Sequence, residues 1–293
     1  MKCGTVAIIG RPSSGKSTMV NTIVEMPVSI TAKTPQTTRN AIRGIYTDQR
    51  GQLIFTDTPG YHLNEQTLNL RLQEIATSPL NESDMIMYVV DATRAPGKEE
   101  FAIIEILKAV KSPIVCVFNK KDIIEEEKIK ETEEIIKKEL PNAIYLSASA
   151  KVDEGIDEIL IELFKLAPEG DLMYSEDSYT DQPLEFRISE IIRGNTIALA
   201  NKELPHAIYV DVSDIEFREK ENLIWVRAFI IVERESQKGI IVGKGGANIK
   251  KIRVSSFKEI KKIFPGKTLQ LDLRVKAQPK WRKNSFVLDK ILN

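Results

Sequence analysis

Gly10-Arg11-Pro12-Ser13-Ser14-Gly15-Lys16-Ser17 decides how the first half of the chain folds. It follows the apolar run 5–9 and precedes an amphipathic stretch, 16–25. It therefore reads as the turn of a strand–loop–helix unit. It fits G-x-x-x-x-G-K-[ST], which in that context is a phosphate loop. Glycines let the backbone wrap closely enough for its N–H groups to cradle phosphates. Lys16 would reach the β- and γ-phosphates, Ser17 would give an oxygen to Mg²⁺, and the helix N-terminus would face the anion. Gly10, Ser13, Ser14, Gly15, Lys16, Ser17 and Thr18 are the phosphate-binding candidates.

Outward from this loop, short apolar runs alternate with amphipathic stretches. The runs 5–9, 53–56, 85–90, 114–118 and 143–146 predict buried strands. The stretches 16–25, 98–110, 125–140 and 156–166 predict helices. Residues 41–46 could add an edge strand beside 52–55. Such alternation argues an α/β unit with a mainly parallel sheet, covered on both faces.

Three further strings fall at the ends of predicted strands. Asp57-Thr58-Pro59-Gly60 offers a carboxylate for Mg²⁺ and a Gly60 N–H for a γ-phosphate. The segment after it is a candidate switch, and 29–40 is a second. In the second, Thr38 would give Mg²⁺ another hydroxyl; Thr37 stands beside it, and the choice stays open. Asn119-Lys120-Lys121-Asp122 follows the strongest apolar run. The Asp122 carboxylate can accept two hydrogen bonds from the guanine N1–H and its amino group, a donor pair that adenine lacks. Bonds to a charged group contribute roughly 1.5–3 kcal/mol each, and unpaired polar groups give strong rejection. Asn119 would steady base and loop, and the Lys120 stem would lie on the purine face. Ser149-Ala150-Lys151 can present its backbone to guanine O6, with Ser147-Ala148 as a competing placement. Together the strings imply a guanine-nucleotide site, with GTP or GDP and Mg²⁺ as its occupants. Lys16, Thr38 and Gly60 are the candidates for catalysis, and Ser17, Thr38 and Asp57 those for the metal.

Composition excludes several other classes. Hydrophobic residues make up 42% and charged residues 29%, as in a soluble globular protein. Two cysteines, Cys3 and Cys116, support no disulfide framework, and two histidines are too few for a zinc site. No run approaches the roughly 18 apolar residues of a membrane span. The chain enters a strand pattern at once, leaving no room for a signal peptide, so a reducing cytoplasmic setting is expected. The net charge of +0 hides an asymmetry: residues 1–170 hold 20 Lys/Arg against 25 Asp/Glu, and 171–293 hold 22 against 17. The stretch 236–283, with 14 basic residues and 2 acidic, suggests a polyanionic partner.

The α/β pattern stops after Leu166. Residues 168–183 read as a connector between a first domain, 1–167, and a second, 184–293. The second reads as a helix (184–200), strands at 207–215 and 223–233, a helix at 247–263, a strand at 268–277 and a short terminal helix near 286–292. Gly243-Lys244-Gly245-Gly246 sits between the apolar run 240–242 and the 247–263 helix. A G-x-x-G turn at a helix start lets an RNA backbone approach closely. Lys244, Lys250, Lys251 and Arg253 add charge, while Ile241 and Ile249 could form an apolar floor under unstacked bases.

The chain also resembles the Era family of bacterial GTPases over essentially its whole length. Particular marks are Gln36-Thr37-Thr38-Arg39, Asp57-Thr58-Pro59-Gly60-Tyr61-His62, Ser189-Glu190-Ile191-Ile192-Arg193, Glu203-Leu204-Pro205 and the run 232–238. The resemblance implies a P-loop GTPase domain followed by an α+β type II KH domain. It implies a monomeric factor for small (30S) ribosomal subunit assembly, with the KH domain on the 3′ end of 16S rRNA and peripheral association at the inner membrane. The family's usual loop has Asn where this chain has Ser13, and in related GTPases that Asn helps bind K⁺; potassium stimulation is left open. Tyr61 follows Gly60 where Ras-like enzymes carry a water-orienting Gln, so slow turnover is expected.

Overall fold

The computed structural model describes residues 1–30, 41–61, 73–199, 207–284, 287–288 and 291. The chain divides into two compact units: the first takes in Met1–Ser29 and Thr38–Asp181, the second Ile30–Thr37 and Gln182–Asn293.

The first unit is built on a six-stranded sheet. Its strands are β1 (Lys2–Ile9), β2 (Ile42–Asp48), β3 (Gly51–Asp57), β4 (Met85–Asp91), β5 (Ile114–Asn119) and β6 (Ile144–Ser147), in the spatial order β2-β3-β1-β4-β5-β6. Only β2 runs antiparallel to its neighbour, as an edge strand paired with β3. The helices described over their whole length include α1 (Lys16–Val24), α2 (Lys98–Lys108), α3 (Glu126–Glu139) and α4 (Ile156–Leu166). Met19, Val20 and Ile23 of α1 and Ile159, Leu160 and Leu163 of α4 pack on one face of the sheet. Ile103, Ile104 and Leu107 of α2 and Ile129 and Ile136 of α3 pack on the other. With both faces covered, all seven residues of β4 are buried, which is why its sequence is a continuous apolar run rather than an alternation. Cys3 and Cys116 are buried, free thiols.

The phosphate loop, the turn after β3, Asn119 and the segment after β6 lie at the carboxyl ends of the parallel strands. In open α/β sheets, ligands bind at that end.

Residues 168–181, expected as a connector, are hydrogen-bonded along the first unit. Cys3 N–H donates to Pro168 O at 2.9 Å and Gly170 N–H to Met1 O at 2.9 Å. The fully buried Gln52 accepts the N–H groups of Met173 and Tyr174 on its Oε1, each at 3.0 Å, and donates to Tyr174 O. Further on, the edge-strand Ile45 N–H donates to Tyr179 O at 3.0 Å. Thr180 Oγ1 donates to Arg43 O, and Arg43 pairs with Asp181 at 2.7 Å.

The second unit holds a three-stranded sheet, β7 (Ile208–Arg218), β8 (Leu223–Val232) and β9 (Thr268–Ala277), with β8 central. β7 is antiparallel and β9 parallel to β8. The helices are α5 (Leu184–Leu199), α6 (Glu235–Val242) and α7 (Ala247–Ile263). Ile188 and Ile192 of α5, Ile241 of α6, and Ile252 and Ile260 of α7 share a core with Ile224, Val226 and Ile230 of β8. On β8, buried residues alternate with half-buried ones through most of its length, as a sheet covered on one face requires. The helix α6 is an addition to the elements expected from sequence. Residues 287, 288 and 291 are helical, within the expected terminal helix.

Candidate functional site

The phosphate loop leaves β1 at Ile9 and turns through two left-handed residues, Ser13 (φ 63°) and Gly15 (φ 101°), before α1 begins. A Cβ on Gly15 would stand 2.1 Å from Asn119 Nδ2, so both the backbone angle and the close approach exclude a side chain here. Met19 N–H bonds Gly15 O, so α1 starts directly at the loop and points its N-terminus into it, the end of a helix that favours an anion. Lys16 is 5% exposed, and its Nζ donates to Gly10 O and Arg11 O at 3.1 Å each. Burial pulls its pKa down to about 8, against the opposing pull of the Asp57 and Glu100 carboxylates. The buried Ser14 Oγ has no hydrogen-bond partner within the described protein.

The turn after β3 packs on this loop. Asp57 is fully buried and lies opposite Ile8 in the parallel pairing of β1 and β3. Thr58 Oγ1 donates to Ile8 O at 2.6 Å, and Tyr61 N–H donates to Gly10 O at 3.2 Å. Asp57 is close enough to Lys16 to affect its titration. Carboxylate and hydroxyl oxygens are the donors Mg²⁺ takes. The described residues hold no group of three or more His, Cys, Asp and Glu suited to a metal, and a cation shared with phosphates does not need one. Thr37, Thr38 and His62 lie outside the described residues.

At the base end, Asn119 joins three of the strings. Its Nδ2 donates to Ser14 O at 2.9 Å, and its Oδ1 accepts the Ala150 N–H at 3.0 Å. Lys120, left-handed at φ 73°, sends its Nζ to Ser13 O at 2.8 Å. Asp122 Oδ1 accepts the Ser149 hydroxyl at 2.6 Å. Ser149 and Ala150 are thus the pair brought to Asp122 and Asn119, whereas Ser147 is the last residue of β6, paired with Phe118. Lys151 is exposed.

In the second unit, α6 ends at Val242 and α7 begins at Ala247, with the glycine string as the turn between them. Gly245 holds φ 59° with open space where a Cβ would point, so the backbone angle rather than crowding selects glycine. Asn248 Nδ2 closes the turn by donating to Ile240 O at 2.9 Å. Lys244, Lys250, Lys251 and Arg253 are exposed around it, Gly243 and Gly246 are half-exposed, and Ile249 is half-buried. Ile241 is 2% exposed and sits in the core of the unit. It holds α6 to the sheet and offers no floor to a base. On the same helix Ile240 is 46% exposed, and no periodicity in the sequence distinguished the two.

A family model described as 50S ribosome-binding GTPase matches residues 5–120, and a KH domain model matches 203–282. GTPase Era of Treponema denticola is 47% identical, over 99% of both chains, and that of Borrelia hermsii is 45% identical over the whole of both. The chain belongs to the Era family of GTPases. Among solved structures, Era in complex with MgGDPNP and nucleotides 1506-1542 of 16S ribosomal RNA is 32% identical, with a TM-score of 0.95 over 100% of this chain and 99% of that one. A variant of Aquifex aeolicus Era bound to GDP and AlF4⁻ matches with the same figures.

Within this Era-family fold, two groups of buried charges next to the phosphate loop escaped the motif reading. Arg11 pairs with Glu100 at 2.5 Å, without the alignment of a hydrogen bond, and Glu100 also accepts the Tyr88 hydroxyl. Burial raises the Glu100 pKa, with the Tyr88 bond and Arg11 opposing it. Asp91, 2% exposed at the end of β4, receives Lys120, Thr93 and Arg94. The available sequence signal was a lone acid closing an apolar run, which also fits an ordinary strand end.

Proposed function

We propose that this chain is a GTP-hydrolysing switch that binds the 3′ end of 16S rRNA and assists assembly of the small (30S) ribosomal subunit. The observation that carries the reading is Asn119: one side chain ties the phosphate loop at Ser14 to Ala150, beside the Ser149–Asp122 bond. That tie supports reading the phosphate-binding and base-recognition strings as two ends of one nucleotide site. Membership of the Era family supports the same reading, as does the related Era that carries a GTP analogue and 16S rRNA nucleotides together.

In this reading residues 1–167 form the nucleotide domain and 184–293 the RNA domain. The N–H groups of the loop and of α1 receive the phosphates. Lys16 exchanges its two carbonyl partners for phosphate oxygens, the Gly60 N–H meets the γ-phosphate, and Asp122 selects guanine. Ser17 and Asp57, with Thr38 from outside the described residues, would hold Mg²⁺, which when bound supplies charge neutralisation at the β- and γ-phosphates. Tyr61 provides no water-orienting amide, consistent with slow turnover. The exposed Lys244 and Gly245, the half-exposed Gly246 and the lysines of α7 face the RNA backbone. The protein acts as a cytoplasmic monomer with peripheral membrane contact. No described helix is long and apolar enough to cross a membrane.

The test is affinity for the 3′-terminal segment of 16S rRNA, measured at fixed salt with GDP and with a non-hydrolysable GTP analogue. Tighter binding with the analogue supports a nucleotide-gated assembly switch. Equal affinity in both states removes the coupling from the proposal.

A further inference from the structure

We infer that Asp91 is a positioning residue for the nucleotide: its single buried carboxylate orients Lys120 and Arg94, and through them clamps the phosphate loop to the base-recognition string. The inference rests on the reading of the first unit as a guanine-nucleotide site.

Asp91 closes β4 and pairs in register with Asn119 at the end of β5. Its side chain is therefore fixed by the sheet, one strand away from the base string. Oδ1 accepts the N–H and the hydroxyl of Thr93, at 3.1 and 2.6 Å. Oδ2 accepts Lys120 Nζ and Arg94 Nε, each at 2.8 Å. Burial works to raise the Asp91 pKa, but the bonds from Lys120 and Thr93 prevail and hold it below the usual value. The group stays an anion with its acceptor positions filled.

Both cations continue past Asp91 to the same loop. Lys120 Nζ donates to Ser13 O at 2.8 Å, and Arg94 Nη2 donates to Pro12 O at 3.1 Å. Consecutive loop carbonyls are thus held by two side chains that share one carboxylate. A lysine has a flexible four-carbon stem and three donors. Without an anchor its ammonium group would sample solvent, and the stem would not stay where a purine must stack. Bonded at both Asp91 and Ser13 O, the stem has its position set before nucleotide arrives, which lowers the ordering penalty on binding. The carboxylate also offsets two positive charges that would otherwise sit side by side.

The test is the dissociation rate of fluorescently labelled GDP from the full chain, in a double-substitution cycle. Asp91→Ala should speed release at least about tenfold, the scale of one lost charge-assisted hydrogen bond. Asp91→Asn, which keeps the shape and loses the charge, should fall between it and the unsubstituted chain. In a Lys120→Ala background, adding Asp91→Ala should change the rate by less than about threefold, because its main route of action is already gone. Multiplicative effects in both Lys120→Ala and Arg94→Ala backgrounds would overturn the inference, since a purely structural role does not act through those partners. If Asp91→Ala does not fold by circular dichroism, Asp91→Asn and its cycle with Arg94→Ala decide the matter. Unchanged release from folded Asp91→Asn, with normal binding by the unsubstituted chain, sinks this inference alone. Failure of the unsubstituted chain to bind labelled GDP would sink the nucleotide reading and this inference together.

Discussion

Lys16 and Asp122 stand at opposite ends of the candidate site, and each yields a measurable consequence. Burial lowers the Lys16 pKa to about 8 in the protein without nucleotide. A polyphosphate favours the charged amine, so the pKa of the complex lies higher. Between the two values binding takes up a proton, and affinity should fall as pH rises, by up to about tenfold per unit. Calorimetry at pH near 9, in buffers of different ionisation enthalpy, would detect that proton; identical heats would show that Lys16 does not change charge. Asp122 already accepts one bond from Ser149, which orients its carboxylate. Replacing it with Asn converts an acceptor into a group that also donates. GTP affinity should fall by at least about tenfold, with xanthosine triphosphate gaining relative to GTP. Unchanged GTP affinity in competition would detach Asp122 from base recognition.

Among the elements, the strap over residues 168–181 depends on Gln52. This residue is fully buried on a strand and bonded to backbone groups of both Met173 and Tyr174. Gln52→Leu would keep the volume and leave those backbone groups without their partner. The first unit should lose about 1–3 kcal/mol, read as a lower denaturant midpoint for the full chain. A change within about 0.5 kcal/mol would mean that the strap rests on its other bonds. The strap was not legible as attached structure, because its sequence has no period and its anchor lies more than 120 positions away. The strands and longer helices of the first unit were legible, since continuous apolar runs such as 85–90 read directly as strands covered on both faces. Helix α6 was not: eight residues ending in Ile240-Ile241-Val242 are too short to establish a helical period. The strings of the candidate site stand out in the sequence because phosphate and guanine chemistry prescribe residue types at fixed offsets. Asp91 does not, because its partner Lys120 is 29 positions distant and only the sheet register brings them together.

Across the whole molecule, acidic and basic residues are unevenly shared, and the stretch 236–283, which includes the turn between α6 and α7, carries 14 basic residues against 2 acidic. If Lys250 and Lys251 each meet an RNA phosphate, the plot of log affinity against log salt should lose about 0.7 of slope per lysine removed. Changing both to Gln should flatten it by about 1.4, with GDP affinity unchanged; an unaltered slope would take α7 off the RNA path. The strap has a consequence of a different kind. β2 is an edge strand, and such edges invite pairing with a strand from another molecule. Here the outward N–H of Ile45 is already taken by Tyr179 O. The chain guards its own edge, so a single proteolytic nick in this segment would uncover a template for aggregation while leaving the nucleotide motifs intact.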